Sequence, residues 1–557
     1  MTPRIPVIAC FLALAASAPA SPPAPWEGYL DDTAYTARLE TIRDHGSQRA
    51  SLDRYGTSRE GRPLFAIVLS SDRDLAHQRP TILVAAGLDA LHPAGTEYTV
   101  RMAERILDGH SEILDEVTVV LMPRANPDGI AAIMSGVNDG RRGGGRVVDA
   151  DRDGLFDEDG PRDLDGNGVI SMMRLPSPPL AHPATHLCDP GDQRLMRTPD
   201  GNAGERATHA MFVEGIDADG DGLFAEDGRG EARIDRNFMH LYEEHRTDGG
   251  PYQLSEPESL ALAEWILGKP RIFGALVFGP HDWIVSLPDH QKKDPTGRTP
   301  IGIDGGDKGQ YEALAQLWKE HSGQLRSGDE EDRGGLHAWL YAHRGVPTVA
   351  TTGWGRPDPS EETEAPAPEG PVPSDAEEAG WLAWSDRDRD GAGFVEWREF
   401  DHPQLGKVEI GGPVPGFDRN PPLDILDDLA EGHAEFVAAL ADMRPRVVVE
   451  GPQVEPLGGN VVKIRLALHN EGRMPLQTTM ARTNRAIRPL VVRPTIPVER
   501  ILQGASFELV DRLDPGERRD LEWTVRLPEE GISIEVDDPR AGVRRFPVSM
   551  TGKGAGR

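Results

Sequence analysis

The chain has 557 residues, of which 92 are acidic and 60 are Lys or Arg, so its formal net charge is −32. This excess of negative charge makes nucleic acids and anionic membrane surfaces poor partners. The length is sufficient for about two or three domains with sizeable cores.

The first 20 residues predict a secretory signal peptide. Arg4 provides a short basic region, residues 5–16 are mainly apolar, and residues 18–20 read Ala-Pro-Ala, so we expect cleavage before Ser21. Cleavage would leave Cys188 as the single cysteine, which excludes an intrachain disulfide. No later stretch is apolar enough to span a bilayer. The sequence therefore predicts a secreted or periplasmic protein.

Helical and strand patterns alternate between residues 26 and 445. Helices are predicted at 26–45, 96–107, 260–267, 311–321 and 423–443. Short apolar or alternating runs predict strands at 55–70, 81–86, 117–122, 275–278 and 348–352. Such an alternation is typical of an α/β sheet with helices on both faces.

Two insertions and a C-terminal change of pattern suggest further organisation. Residues 138–232 are rich in Gly and Asp, and residues 356–412 are rich in Pro, Glu and Trp. After Pro445 the sequence changes to short alternating strands broken by Gly and Pro. We predict one domain over 26–445 and a β-sandwich over 446–550.

Four Asp- and Gly-rich loops, at 149–160, 163–174, 217–228 and 386–397, predict calcium binding. Each has oxygen ligands at positions 1, 3 and 5 and Gly at position 6, as in the first half of a calcium loop, but none has Glu at position 12. Bound calcium would order a segment with few apolar residues. The alternative is that these loops are solvated acidic turns. The candidate ligands are Asp149, Asp151, Asp153, Asp157, Asp163, Asp165, Asn167, Asp217, Asp219, Asp221, Asp386, Asp388 and Asp390.

Several short motifs together carry a family resemblance. They read GTSREGRP (56–63), ANPDG (125–129), IDRNF (234–238) and GPYQLSEPES (250–259). Their order and spacing resemble those of zinc metallocarboxypeptidases of the carboxypeptidase A/T type, in particular secreted bacterial members with Asp-rich insertions. The resemblance implies a carboxypeptidase-like mixed sheet, a C-terminal β-sandwich, a zinc site and peptide substrates with a free C-terminal carboxylate.

The positions that would bind zinc by this resemblance hold altered residues. In AAGLDALH (85–92), the family's His and Glu positions are Asp89 and His92, and both side chains can coordinate zinc. A second register would pair His92 with Glu97, and in a third interpretation Asp89 caps the turn while His92 is an ordinary loop residue. The third ligand position is Gly279, and His281 follows two residues later, about 7 Å further along a strand.

The positions for catalysis and substrate binding are also altered. The family's general-base Glu is Gly353, and loss of a general base typically costs about 10²–10⁴-fold in rate. The family's Asn-Arg pair for the substrate carboxylate is Asp235-Arg236, in which Arg236 could bind a carboxylate or be neutralised by Asp235. Arg142 and Arg146 are candidates for a second carboxylate-binding arginine.

Three functions are compatible with this pattern. The first is a pseudoenzyme that binds a peptide or cell-wall peptide with a free C-terminal carboxylate. The second is an active metallocarboxypeptidase with an altered Asp/His zinc site. The third is a structural or adhesive envelope protein in which the β-sandwich carries the interaction. In each case we expect a monomer.

Overall fold

The structure is a computed structural model that describes residues 23–149, 154, 156, 159–225, 230, 232–269, 271–328, 330–357 and 376–549. The predicted signal peptide and the candidate calcium ligands Asp151, Asp153 and Asp157 lie outside the described residues. Within the described part of the chain, no helix is both long and apolar enough to cross a membrane.

The described residues form 20 strands. In chain order they are β1 Ala50–Thr57, β2 Pro63–Leu69, β3 Thr81–Ala85, β4 Thr118–Met122, β5 Met172–Pro176, β6 Leu187–Cys188, β7 Met196–Arg197, β8 His209–Val213, β9 Ile272–Phe278, β10 Thr348–Thr351, β11 Phe394–His402, β12 Gly406–Pro413, β13 Val447–Gly458, β14 Val461–Asn470, β15 Leu490–Pro494, β16 Ile501–Gln503, β17 Glu508–Val510, β18 Arg518–Arg526, β19 Ile532–Asp538 and β20 Gly542–Val548.

The same residues form nine α-helices, of which α3, α6, α7 and α9 were not predicted. They are α1 Asp32–His45, α2 Ala94–Gly109, α3 Pro127–Ser135, α4 Pro257–Leu267, α5 Lys308–Ser322, α6 Leu336–Arg344, α7 Ala376–Asp388, α8 Leu426–Met443 and α9 Thr479–Asn484.

A six-stranded mixed sheet forms the centre of the molecule. Its strand order is β1-β2-β4-β3-β9-β10. Strands β4, β3, β9 and β10 are parallel, whereas β1, β2 and β4 pair in antiparallel fashion. Every residue of β3, β4 and β9 is buried, in keeping with their apolar sequences. The predicted carboxypeptidase-like mixed α/β fold is confirmed.

The direction of the parallel strands places the altered positions at one edge of this sheet. Strands β3, β9 and β10 run the same way, so their carboxyl ends lie side by side. The segments that follow them carry Asp89 and His92, His281, and Gly353 respectively. Ligands bind beyond the carboxyl ends of strands in open α/β sheets, so this edge is the candidate functional site.

The two predicted insertions meet in one small sheet. Strands β5 and β8 come from residues 138–232, and strands β11 and β12 come from residues 356–412. They form an antiparallel sheet in the order β11-β12-β5-β8. Met173, Phe224, Val408 and Ile410 are buried in its own small core. This sheet was not predicted, because each insertion alone has too few apolar residues to indicate it.

The residues after Pro445 form two four-stranded sheets, ordered β13-β14-β18-β16 and β17-β15-β19-β20. Their pairings are antiparallel, as predicted for this region. Side chains from the two sheets share a hydrophobic core that includes Ile464, Trp523, Ile534 and Val536. The antiparallel character of this C-terminal region is confirmed.

Candidate functional site

Gly353, which the sequence resemblance aligns with the family's general base, has a conformation that favours glycine. Its φ is +75°, in the left-handed region. A Cβ atom at this position would lie 2.7 Å from Tyr98 Cε2 and 2.9 Å from Phe278 Cε1. The space that a glutamate side chain would need is therefore filled by two aromatic rings.

A buried histidine completes this aromatic cluster. The ring of His433 lies 4.9 Å from that of Tyr98 and 5.0 Å from that of Phe278, between centroids. Its Nε2 lies 2.9 Å from the Gly353 carbonyl oxygen. A carbonyl can only accept, so Nε2 carries the proton. Burial lowers the pKa of His433 to about 3, which keeps the ring neutral at neutral pH.

Asp89 is buried and fully engaged by the protein. Its Oδ1 accepts a hydrogen bond from the Leu91 amide at 3.0 Å, so the side chain caps the turn after β3. Its Oδ2 accepts from Arg142, with Nε at 2.9 Å and Nη2 as a second donor. Nη1 of Arg419 lies 3.7 Å from the same oxygen. Of the three interpretations, this geometry corresponds to the turn-capping one.

His92 is also directed at the protein. Its Nε2 lies 3.0 Å from the Thr352 carbonyl oxygen, and its Nδ1 has no hydrogen-bond partner among the described residues. Burial lowers the pKa of His92 to about 4. Glu97, the partner of His92 in the alternative register, instead accepts from the Leu30 amide at 2.5 Å and pairs with Arg101.

Glu330, which the sequence did not single out, is the centre of a set of ion pairs. Its carboxylate pairs with Arg142, with Arg233 at 2.8 Å and with Arg236 at 3.1 Å, and Arg419 lies 3.8 Å away. Burial opposes ionisation of Glu330, but Arg233 and Arg142 outweigh it and hold its pKa at about 2. We call this set the arginine–carboxylate network; its members are Arg142, Arg233, Arg236, Arg419, Asp89, Asp235 and Glu330.

The pairing of Asp235 differs from the expectation that it neutralises Arg236. Asp235 accepts from Arg233, with Nε at 3.1 Å and Nη2 at 2.6 Å. Arg236 pairs with Glu330 at 3.1 Å and with Asp248 at 3.5 Å. Residues 235 and 236 are adjacent in a single 3₁₀ turn, so their side chains point in different directions. Arg236 is only 9% exposed, so little of its surface is open to a ligand.

The two other candidate arginines have different surroundings. Arg142 belongs to the network through Asp89 and Glu330. Arg146 lies outside it and pairs with Glu256 at 2.5 Å, while its Nη2 lies 3.3 Å from the Ser255 carbonyl oxygen. Arg142, Asp235 and Arg236 are thus brought together, and Arg146 is not.

The residues at the family's metal position do not fit a zinc ion. The Asp89 carboxylate already binds Arg142, and a dication there would face the like charges of Arg142 and Arg419. His92 has one free lone pair, on Nδ1, and with the Asp89 carboxylate bound to arginine this is a single available ligand. Among the described residues, Asp89, His92 and His281 do not together form a group whose ligand atoms all lie within 4.8 Å of one another. We therefore derive no reaction step through a metal at this position.

A different set of ligand-type side chains does meet this spacing. His281, Asp332 and His337 place one ligand atom each within 4.8 Å of the others. Asp332 Oδ1 lies 2.9 Å from His337 Nε2 and 3.9 Å from His281 Nδ1. Of these residues the sequence pointed to His281 only. Asp332 lies just before α6 and His337 lies in its first turn, and no motif was recognised in this part of the chain.

The Asp-rich loops share one backbone geometry. The carboxylate of Asp163 accepts hydrogen bonds from the amides three and five residues later, those of Gly166 at 2.8 Å and Gly168 at 2.9 Å. Asp217 accepts in the same way from Gly220 at 2.6 Å and Gly222 at 3.1 Å. The first loop repeats part of the pattern, with Gly154 donating to Asp149 at 3.2 Å.

Two acidic groups assemble from these loops. One contains Asp163, Asp165 and Glu214, and the other contains Asp159, Asp217 and Asp219. Glu214 was not predicted; it lies just before the third loop and accepts from the Leu164 amide of the second at 2.7 Å. Such groups are common without an ion, so calcium at these loops stays a prediction.

The fourth Asp-rich segment has a different structure. Asp386 and Asp388 lie in the last turn of α7 rather than in a loop. Asp386 pairs with Arg194 at 2.8 Å and Asp388 with Arg387 at 2.6 Å. Asp390 follows the helix with φ of +50°. The helix separates these acids, and arginines occupy the first two.

A cleft of about 540 Å³ opens beside the arginine–carboxylate network. Glu330 of the network and Asp332 both line it, so it lies next to both groups described above. Acidic side chains outnumber basic ones in its wall: Asp282, Asp289, Glu330, Glu331, Asp332 and Glu377 against Lys292 and Arg326. Its volume is in the range of small-molecule and peptide side-chain sites.

Comparison with known families supports the sequence resemblance. Residues 35–161 match the model of the zinc carboxypeptidase family, and residues 446–549 match the model of a domain of unknown function. No curated protein matches the chain.

Solved structures that resemble the chain include carboxypeptidase A from Helicoverpa armigera, with 14% identity, a TM-score of 0.34, and coverage of 58% of this chain and 64% of that one. Bovine thrombin-activatable fibrinolysis inhibitor has 11% identity, a TM-score of 0.37, and coverage of 75% and 97%. A metallo-carboxypeptidase from Burkholderia cenocepacia has 11% identity, a TM-score of 0.30, and coverage of 58% and 60%. On the family-model match, the chain carries a metallocarboxypeptidase-like domain.

Proposed function

We propose that this protein is a secreted metallocarboxypeptidase-like pseudoenzyme that binds peptides without hydrolysing them. The observation that carries the proposal is the packing of Gly353. Glycine cannot accept a proton from water, and the rings of Tyr98 and Phe278 fill the space where a carboxylate would have to stand. General-base catalysis at this position is therefore lost.

The arginine–carboxylate network supports the same conclusion. Asp89, at a family ligand position, holds two guanidinium groups in place of a metal. Removing one partner of a buried ion pair of this kind strongly destabilises the folded protein, because the other charge is left uncompensated. The network is thus suited to hold the sheet edge and its loops together.

The cleft beside the network supports peptide binding. Its excess of acidic side chains favours the amino groups and guanidinium groups of a basic peptide, of the cell wall or otherwise. A free C-terminal carboxylate could reach Arg236 only by displacing Glu330 or Asp248, which exchanges one carboxylate for another. We therefore propose that basic side chains, more than the C-terminal carboxylate, direct binding.

Hydrolysis assays test the first part of the proposal. With added zinc, the protein should release C-terminal residues from blocked dipeptides at least about 10³-fold more slowly than a working member of the family. Robust release that is abolished by a zinc chelator and by Asp89→Ala would contradict the proposal.

Calorimetry with peptides tests the second part. Lysine-containing peptides should bind more tightly than their glutamate counterparts, and Glu331→Gln in the cleft wall should weaken binding, whereas Glu399→Gln on the distant strand β11 should not. If Arg236 captures the carboxylate after all, Arg236→Ala will weaken binding by about 1.5–3 kcal/mol and amidated peptides will bind poorly. An absence of heat with every peptide would exclude peptide binding and leave a structural role.

A further inference from the structure

His281, Asp332 and His337 form a cluster that the family's chemistry does not use. His281 follows β9, Asp332 lies in the segment before α6, and His337 is in the first turn of α6. The two imidazole rings are almost fully buried, with side-chain exposures of 2% and 0%, and their centroids are 4.4 Å apart. Two segments of the chain, one after β9 and one at the start of α6, thus bring metal-ligand side chains together.

The distances in the cluster suit a transition metal. Zinc–ligand bonds of about 2.0–2.1 Å place the ligand atoms of a tetrahedral site about 3.3 Å apart. Asp332 Oδ1 is 2.9 Å from His337 Nε2 and 3.9 Å from His281 Nδ1, on either side of that value. The third separation, between the ligand atoms of His281 and His337, is within 4.8 Å.

The hydrogen bonding of His281 is incomplete without a ligand. Its Nδ1 lies 3.2 Å from the Glu330 carbonyl oxygen, so in the neutral ring Nδ1 carries the proton and Nε2 carries the lone pair. That lone pair faces Asp235 Oδ2 at 3.6 Å, and Nε2 has no hydrogen-bond partner among the described residues. Two acceptors facing each other in a buried site are unfavourable.

A cation bound by Nδ1 removes this conflict. The proton then sits on Nε2 and points at the Asp235 carboxylate, which gives the carboxylate–histidine–metal arrangement common in protein metal sites. The alternative solution is a doubly protonated His281 that donates to both neighbours. Metal binding distinguishes the two solutions, because an imidazolium has no free lone pair with which to bind a metal.

The electrostatics also separate this cluster from the family's metal position. Among the described residues, Asp332 makes ion pairs only with His281 and His337. Asp89, in contrast, is held by Arg142. A dication at Asp332 would therefore replace no guanidinium group.

From these observations we propose that His281, Asp332 and His337 bind a divalent cation of the zinc class, displaced from the family's metal position. Two imidazoles and one carboxylate are a common ligand set for zinc. Three protein ligands leave a fourth position for water, on the side where Asp332 lines the cleft. The proposal is independent of whether the protein hydrolyses peptides, since it concerns binding of the metal.

Metal titration of the full-length protein tests this site. The protein is stripped with a chelator, supplied with excess calcium to occupy the Asp-rich loops, and titrated with Zn²⁺ by calorimetry and with Co²⁺ by visible absorption. We expect one equivalent to bind, with the Co²⁺ spectrum of a tetrahedral site. Asp332→Asn should weaken binding at least 10-fold, and His337→Gln at least 100-fold, following the loss of one ligand.

His92→Gln is the matched control, because His92 is equally buried but lies at the family's position. It should leave the titration unchanged. Binding that is lost in His92→Gln and kept in His337→Gln, or no stoichiometric binding at all, would overturn the proposal. If a histidine variant does not fold, anomalous scattering from a zinc-soaked crystal of the unmodified protein decides: a peak between His281 and His337 supports the site, and a peak at Asp89 or none refutes it.

Discussion

The same edge of the central sheet carries two groups of polar side chains with opposite properties. Around Asp89, every carboxylate is matched by a guanidinium group, and the ion pairs are closed. Around His281, two buried imidazoles share one carboxylate, and two of their ring nitrogens have no hydrogen-bond partner among the described residues. The carboxylates of the first group are occupied by guanidinium groups, whereas the carboxylate of the second group makes ion pairs only with imidazoles in the described part of the chain.

If the proposed loss of catalysis is right, this contrast means that a degenerate active site need not lose all of its chemistry. Arginine side chains supply the positive charge beside Asp89. Among the described residues, no arginine pairs with Asp332 beside the two imidazoles. The difference between the two groups can be tested by substitutions in each group and in the packing around Gly353.

The largest effect is expected when the missing base is put back. Gly353→Glu should destabilise the protein by about 5 kcal/mol or more, because it combines a left-handed backbone, overlap with Tyr98 and an unpaired buried carboxylate. Urea unfolding measures the change. Gly297→Glu is the control, since Gly297 has a similar φ of +71° but open space around it, and should lose about 1–2 kcal/mol. Equal losses for the two variants would show that the Gly353 site is not tightly packed.

Neutralising the centre of the arginine–carboxylate network should come next. Glu330→Gln leaves its buried guanidinium partners short of one negative charge, which should cost about 3–5 kcal/mol of unfolding free energy. Glu331→Gln is the neighbouring control, because Glu331 is 61% exposed and pairs only at the surface with Arg333. If both variants unfold at the same urea concentration as the unmodified protein, the network does not hold the fold together.

Acid should destabilise the protein through its buried neutral histidines. His92 and His433 have pKa values of about 4 and about 3 when folded, against about 6.5 when unfolded. Their contribution is complete above pH 6.5 and is lost as the pH falls, by up to about 2 kcal/mol per histidine between pH 7 and 5. His92→Gln should remove its share of this pH dependence. His45→Gln, at an exposed position, should not, and an identical slope for both variants would contradict the assignment.

The smallest effect is expected from calcium. Chelation should lower the melting temperature by a few degrees and expose residues 149–228 to proteases, since calcium stabilises by binding the folded loops. Asp163→Asn should reduce this response, whereas Asp390→Asn, next to a helix rather than in a loop, should leave it unchanged. A melting temperature that does not respond to excess chelator would exclude structural calcium.

The sequence predicted the central sheet well because its strands and helices have clear periodicities. It also pointed to Asp89, His92, Asp235 and Gly353 as altered positions through motif alignment, and that assignment stays a prediction. It could not predict which arginine pairs with which acid, because the partners come from distant segments. Glu330 lies in an acidic run with no motif, yet it joins Arg142 and Arg233 in space. His337 was missed for the same reason.

The small sheet formed by the two insertions bears on the order in which the chain folds. Arg174 of β5 pairs with Glu409 of β12, although they are 235 residues apart in the sequence. Pairing over such a distance is slow, because the intervening loop must close first. The Asp-rich loops that flank β5 and β8 are therefore synthesised long before their sheet can form. Until then the loops stay unpaired, and acidic side chains from separate loops come to lie beside one another only when the protein has folded.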